Sequence, residues 1–356
     1  MTDINVSNFN PGGIIDRVDN RDYQLNEIVG AGATLPFDWT VPYDVEAEMS
    51  KVLSFPNFKL TVKDQGGSYS CGGQAWAYLA EILEAINTVG YEPRSAKYVY
   101  SQTYQIGGGS TGRDNANIYV NQGVSRESML ASYDRGLPPS EAFITRSADI
   151  TDAIRVNATL DKSSIYAQVP IDINVIAKTI RDNYCVILGV DGQNNGTWVS
   201  EFPAPPTTTE WRHWVCAIKA KMVNGVKHIG FINSWGTTVG VNGIQWLAES
   251  YFTSGHIFSC WVHTYSTAVL PVAFKHNFGK DVKYGQTSAE ITALQTALQL
   301  ERVFPQNINP TGYYGQITSN AVLAFRIKYN ISSVTDTLGK TAGPLTRAKL
   351  NMLYNV

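Results

Sequence analysis

Val62–Trp76 reads VKDQGGSYSCGGQAW. A polar, glycine-rich loop runs into Cys71. Directly behind it, Trp76, Leu79, Ala80, Leu83 and Ile86 recur at steps of three and four, the period of a buried helical face. The thiol therefore stands where a loop becomes a helix, six residues after Gln65. Cysteine is a nucleophile as the thiolate, which a helix N-terminus, a neighbouring imidazolium and partial exposure all favour. The local sequence supplies the first of these. The second has to come from one of five histidines: His213, His228, His256, His263 or His276. The loop can curl the Gln65 amide back toward the sulfur, and the Cys71 N–H at the helix start then gives a second donor for an oxyanion.

The rest of the composition narrows the class. A chain of 356 residues predicts two domains with a third small element. With 44% hydrophobic and 16% charged residues and a net charge of −2, it reads as a folded protein with no reason to take nucleic acid as its main partner. No run of eighteen apolar residues offers a membrane span. The first residues, MTDINVSNFNPGG, lack the basic start and apolar core of a secretory signal, so another delivery route is expected. The four cysteines, Cys71, Cys185, Cys216 and Cys260, have neither zinc spacing nor the density of a disulfide framework, and no cofactor or metal is expected. Cys185 and Cys216 lie in apolar strand-like runs and read as buried, inert thiols. Asp191–Gly196, DGQNNG, opens like a calcium loop, but its twelfth position is Phe202, so it reads as a polar turn.

Residues 1–34 read as an extended arm, and LPFDWT, from Leu35, begins the body. Tyr69 to about Val89 reads as loop then helix, and another helix is expected near Arg94 to Gln105, followed by the loop IGGGSTGRDN. Then short β-branched runs take over, YCVILGV, WVCAIKA and KHIGFIN. Asn224-Gly225 predicts a tight hairpin joining the strand of His213 to the strand that ends near Asn233. Helices first and strands afterwards make an α+β body. From Phe274 to Val356 the helical period returns in three stripes. Thr287 to Glu290 is expected to form a capping box before Ile291. Pro344 opens the third stripe. From Val269 onward nine Lys/Arg face four Asp/Glu, a net +5 that leaves −7 for the rest, as for a basic binding module on an acidic body.

VKDQGGSYSCGGQAW, RHWVCAI and FINSWGTTVGVNG, in that order, resemble the three signature blocks of papain-like cysteine peptidases. The spacing fits, with 142 residues from Cys71 to His213 and 20 more to Asn233. The resemblance spans roughly Leu35 to Val262. It implies a two-lobed fold, with a helical left lobe and an antiparallel right lobe. It also implies roles: Cys71 the nucleophile, His213 the general base and then acid, Asn233 the orienter of the imidazole, and Gln65 the oxyanion donor. Gly108 and Gly109, in IGGGS, would pair with extended substrate. Trp235, in NSWG, would shield the Asn–His contact from water.

Four departures stand out. Gly72-Gly73 replaces the aromatic that normally follows the nucleophile. Tyr69 stands where the family usually has glycine and is expected to narrow or gate the pocket at the scissile bond. Ser68 replaces a cysteine that many relatives use in a disulfide. No long inhibitory propeptide fits within 34 residues. There is also a geometric conflict. A tight Asn-Gly hairpin pairs positions summing to 449, which sets Cys216 opposite Asn233 and turns His213 to the other side. A bulge or strand break near NSWG is therefore required.

The tail, in ITALQTALQLERVF, TGYYGQITSNAVLAFRIKYNI and AGPLTRAKLNMLY, resembles the type 1 peptidoglycan-binding domain, a three-helix module. Tyr313 and Tyr314 are its candidates for stacking on sugar faces. The expected layout is an arm over 1–34, a peptidase domain over 35–268, a join over 269–282 and the peptidoglycan-binding module over 283–356. Together these imply a thiol peptidase acting on peptide or protein at the bacterial cell wall, phage-encoded or virion-associated. The rival expectations are a wall-moored protease of proteins and an inactive, adhesive wall-binding protein such as a phage tail component.

Overall fold

The computed structural model describes all residues except 1–8, 20–21, 26–35, 54, 89, 265–273, 302, 306–309, 330, 332–337 and 355–356. The chain forms two compact units, Met1–Tyr265 and Ser266–Val356. The expected arm–body boundary and the first five residues of the expected join, 269–273, lie outside the described residues.

In the first unit the helices come early: α1 (Val45–Val52), α2 (Cys71–Thr88), α3 (Ala96–Thr103), α4 (Gly112–Asn121) and α5 (Ile173–Asn183). Trp76, Leu79, Ala80 and Leu83 of α2 are buried as their period predicts. Ser95 caps α3 by accepting from Tyr98 N–H, and Thr111 caps α4 by accepting from Asp114 N–H. The short strands β1 (Gly13–Ile14), β2 (Tyr43–Asp44) and β3 (Ser110–Thr111) precede the main sheet. That sheet comprises β4 (Ile165–Gln168), β5 (Val186–Gly192), β6 (Trp211–Val223), β7 (Val226–Ile232), β8 (Ile244–Ala248) and β9 (Ile257–Thr264). Its order is β4-β9-β5-β6-β7-β8, all antiparallel, with β2 also on β6. Helix α2 packs against α1, α3, α4 and β6, so its first residue meets the sheet that carries His213, while α5 lies directly on the sheet.

Asn224 and Gly225 both take positive φ, 51° and 80°, the requirement of a two-residue primed turn. From Val223↔Val226 to Lys219↔Gly230 the pairs sum to 449, and then the register shifts so that Cys216 faces Ile232. The required bulge is thus present, at Ile218. The strand also ends at Ile232, where the Asn233 N–H turns to Gly243 O. Bulge and strand end together free Asn233 to reach across.

His263, on β9, is buried at the back of α2. Its Nε2 accepts from Trp76 Nε1–H at 3.1 Å, so the ring proton sits on Nδ1, 2.7 Å from Ser163 Oγ. Burial pushes its pKa down to about 3 from 6.5. The unfolded imidazole gains a proton below about 6.5 while the folded one stays neutral, so the stability this group lends above 6.5 drains away between pH 6.5 and 3. The slope is up to about 1.4 kcal/mol per pH unit. Thermal melts from pH 7 to 4 are expected to fall more steeply for the wild type than for His263→Gln, which keeps an acceptor but no titrating ring. Parallel curves would refute the assignment.

In the second unit, α6 (Ala289–Leu300), α7 (Gln316–Lys328) and α8 (Pro344–Tyr354) enclose a core of Ile291, Leu294, Leu298, Val322, Phe325 and Leu350. The antiparallel pair β10 (Val282–Lys283) and β11 (Thr341–Ala342) closes the bundle. The expected capping box does not form. Ser288, not Thr287, caps α6 by accepting from Ile291 N–H, and the Glu290 carboxylate turns away to His276 Nε2 at 2.9 Å. A residue one step nearer the helix and a competing imidazole win over the motif.

Candidate functional site

Cys71 is the first residue of α2 and is fully buried. Its sulfur faces backbone N–H groups of Trp214, Gly12, Gly72 and Cys71 itself, and Gly12 N donates to Sγ at 3.2 Å. Trp214 follows His213 on β6, so the thiol lies against the strand that carries the imidazole. Gly72 and Gly73, the departure from the family pattern, have a packing cause. A Cβ on Gly72 would strike Ser110 and Asn115, and one on Gly73 would stand 2.7 Å from both Ala96 O and the Tyr100 side chain. The start of α2 presses directly onto β3 and α3, leaving no room for an aromatic.

His213 Nε2 stands 2.8 Å from Asn233 Oδ1. The amide is oriented by its other bonds: Asn233 Nδ2 donates to Gln245 Oε1 at 2.7 Å, and Ser234 N–H donates to Oδ1 at 2.7 Å. An amide oxygen only accepts, so Nε2 carries the imidazole proton and Nδ1 is left as the basic nitrogen, buried and without a hydrogen-bond partner. Trp235 covers this pair, its ring 4.6 Å from that of His213. Gln65 is buried and equally fixed. Its Oε1 accepts from Ser234 Oγ at 2.8 Å, and its Nε2 donates to Ser68 O and Asn10 O, both at 2.9 Å. Ser68, in place of the family cysteine, bonds Gln65 O and Ser70 Oγ. Gln65, Asn233 and His213, from the loop before α2, the end of β7 and β6, are thus linked through Ser234, and Cys71 at the start of α2 lies against the backbone of Trp214, the residue after His213.

Residues that sequence reasoning missed hold this arrangement. Tyr78, two turns beyond the thiol's end of α2, uses its hydroxyl twice, accepting from Lys63 N–H and donating to Asn233 O at 3.3 Å. It ties the Gln65 loop and the Asn233 loop to the same helix. Lys63 pairs with the fully buried Glu81 at 2.6 Å, and Arg94 N–H donates to that carboxylate at 2.8 Å. Gln245 fixes the Asn233 amide. In the sequence Tyr78 and Gln245 carried no signal of their own, since each is one more residue on an apolar helix or strand.

The larger surprise is the arm, whose described residues lie along the cleft. Phe9 stacks on Trp235 at 5.0 Å, the Asn10 carbonyl accepts from Gln65, and Asn10 Nδ2 donates to Gly67 O at 2.6 Å. Ser110 N–H donates to Gly12 O at 3.0 Å, and β1 then runs parallel to β3. Further on, Asp16 accepts from the first N–H groups of α4, and Asp22 accepts from the Arg113 guanidinium at 2.8 Å. Glycine is what lets the chain in: a Cβ at Gly12 would overlap Tyr69 O and stand 2.9 Å from Gly109 Cα. Gly109 therefore packs on the arm. Gly108 lies under the Tyr69 ring, 2.6 Å from where its Cβ would be, and Tyr69 N–H donates to Glu141 at 2.8 Å. The covered site is electrically at rest. Burial first pushes the Cys71 thiol up to about 11, and burial also pushes the His213 imidazole down to about 4, against the bond to Asn233. Thiol and imidazole are both neutral near pH 7.

On the second unit the two tyrosines part company. Tyr313 is half exposed. Tyr314 is fully buried, its hydroxyl donating to Gly339 O at 2.7 Å, and it serves the bundle core instead of a sugar face. Tyr284 is also exposed, under the Lys340 ammonium at 5.6 Å, on the segment whose Gly285 N–H bonds Tyr314 O. Among the described residues no cluster of His, Cys, Asp and Glu could hold a metal, and no helix is long and apolar enough to cross a membrane.

Comparison with solved structures places the fold. Xylellain, a cysteine protease from Xylella fastidiosa, superposes with a TM-score of 0.55 at 21% identity, covering 71% of this chain and 95% of that one. Digestive procathepsin L2 proteinase from Tenebrio molitor larval midgut gives 0.56 at 17%, over 73% and 79%. Procathepsin B S9 from Trypanosoma congolense gives 0.54 at 12%, over 72% and 87%. The chain has the papain-like α+β fold. No family model matches it, and no curated protein does.

Proposed function

We propose that this chain is a cysteine endopeptidase that cuts peptide in or at the bacterial cell wall, with the Ser266–Val356 unit as its peptidoglycan-binding anchor. The observation that carries the peptidase half is the Gln65 amide, which already holds a backbone carbonyl, that of Asn10, two residues before the Gly12 N–H that faces the Cys71 sulfur, while Ser234 ties the same Gln65 to the His213–Asn233 pair. In the open cleft the carbonyl of a substrate takes that place. Proton transfer from Cys71 to His213 Nδ1 gives the thiolate–imidazolium pair, with Asn233 holding the Nε2–H. The thiolate attacks the carbonyl carbon, and the oxyanion is met by Gln65 Nε2–H and Cys71 N–H, each such donor being worth about 10²–10³ in rate. His213 returns the proton to the leaving amine, and water hydrolyses the thioester. The arm makes this a latent enzyme, since the atom set against the sulfur is the Gly12 N–H. Two of the solved neighbours are themselves described as procathepsins.

The wall half rests on the tail's resemblance, on the excess of Lys/Arg in it, and on Tyr313 with Tyr284, exposed aromatics suited to sugar faces. An anchor raises local concentration over a polymer without changing the chemistry. Phage-encoded or virion-associated delivery is part of this reading. Purified sacculi are the test. Wild type is expected to pellet with them and to release new amino groups, Cys71→Ala to pellet without release, and Tyr313→Ala to pellet about three- to tenfold less, a loss of about 1 kcal/mol of stacking. Equal release from wild type and Cys71→Ala would refute the peptidase. Casein cleavage with intact sacculi would instead assign a wall-moored protease of proteins. Pelleting with no labelling of Cys71 by a thiol-directed epoxide would assign an inactive adhesive protein.

A further inference from the structure

The N-terminus of α4 carries a second set of donors that the mechanism above leaves unused. Gly112 N–H and Arg113 N–H donate to the two oxygens of Asp16 at 3.1 and 3.0 Å. The Thr111 side chain adds a further hydrogen bond, and Arg113 Nη1 lies 3.9 Å from Oδ1. This is more than a helix end. A Cβ on Gly112 would collide with Trp261 Nε1 and would stand 2.9 Å from both the Trp214 ring and Asp16 Oδ2, so glycine keeps a cradle open here. Trp261 is fully buried, and its Nε1–H, which borders that same cradle, has no hydrogen-bond partner. An orphan donor, two helix N–H groups and a guanidinium converge where a carboxylate sits.

That carboxylate belongs to the arm and not to the body. Asp16 reaches the cradle only because β1 lies on β3, and β3 runs directly from Gly108–Gly109 into α4. The groove that places Asn10 at Gln65 therefore leads, six residues further along the arm, to these donors. An extended peptide that replaces the arm passes both places.

We propose that Thr111, Gly112, Arg113 and Trp261 form a carboxylate subsite of the cleft, which takes an acidic residue of the peptide substrate once Asp16 vacates it. The inference rests on the peptidase reading and gives it a substrate class: acidic peptides, with the carboxylate about six residues from the carbonyl seated at Gln65.

The test uses the full chain carrying Asp16→Asn and Asp22→Asn, which weaken the arm's hold on the donors, in a Cys71→Ala background so that binding is read without turnover. Fluorescently labelled peptides with one aspartate, scanned along their length, are compared with partners carrying asparagine there. At low salt the aspartate peptide is expected to bind about tenfold tighter at the matching position, the range of one charge-assisted hydrogen bond. That preference should fall to about twofold or less in Arg113→Gln and be roughly halved in Thr111→Val, whose folding is checked by thermal melts. Equal binding of the two peptides at every position, or a preference that survives Arg113→Gln, overturns the subsite. Parallel assays with Cys71 restored separate the two ideas. Selective binding without cleavage overturns only the peptidase, and cleavage indifferent to aspartate overturns only the subsite.

Discussion

Gly12→Val is expected to raise the rate at which iodoacetamide alkylates Cys71 by about a hundredfold at pH 7. A side chain at position 12 has nowhere to go, since its Cβ would overlap Tyr69 O and crowd Gly109 Cα. The arm must lift away from the sulfur. A thiol held at about 11 is roughly one part in ten thousand ionised at pH 7, and one at its ordinary 9.0 about one part in a hundred. Removing the burial therefore accounts for the hundredfold by itself. Pairing with a re-solvated His213, whose pKa rises again from about 4 as burial is lifted, adds to it. The other cysteines, Cys185, Cys216 and Cys260, are buried in the body and stay unlabelled, so mass spectrometry of the Cys71 peptide gives a clean reading. Peptide hydrolysis should rise in step. If the wild type reacts as fast as Gly12→Val, the arm does not guard the thiol.

On that opened background, Cys71→Ala should lower kcat/KM for a fluorogenic peptide by at least about a thousandfold, and His213→Ala by a similar factor. The two act as one unit, because the sulfur is useful only when the ring has taken its proton, so the double variant should be no slower than either single one. Asn233 has a smaller part, holding the Nε2–H at 2.8 Å so that Nδ1 remains the base. The pH–rate profile of the opened enzyme should be a bell, its acid limb from the pair's first proton and its alkaline limb from the imidazolium. A His213→Ala variant with more than a tenth of the activity would remove that histidine from the mechanism, and a costless Cys71→Ala would remove the thiol.

Much of this was written in local sequence. The helix behind Cys71 is set by an apolar period, the hairpin by Asn224-Gly225, and the need for a bulge by simple arithmetic on that turn. Each rests on contacts a few residues apart, and such contacts follow from residue type and spacing alone. The motifs that carry Cys71, His213, Asn233 and Gln65 were legible through a spacing that resembles a known family.

The tertiary structure alone decided the rest. That Ile218 is the bulged residue, that Glu290 prefers His276 to its own helix start, and that Tyr314 faces inward while Tyr313 faces out are all outcomes of competition between distant partners. The arm is the clearest case. NFNPGG looks like idle polar chain, because its partners Gln65, Cys71, Ser110 and Trp235 lie some 55 to 226 residues away, and no periodicity of its own records them. Sequence determined which elements form and which groups have the chemistry. Only folding could decide which backbone fills the cleft, because that depends on long-range fit between a glycine-bearing strand and a groove assembled from separate parts of the body.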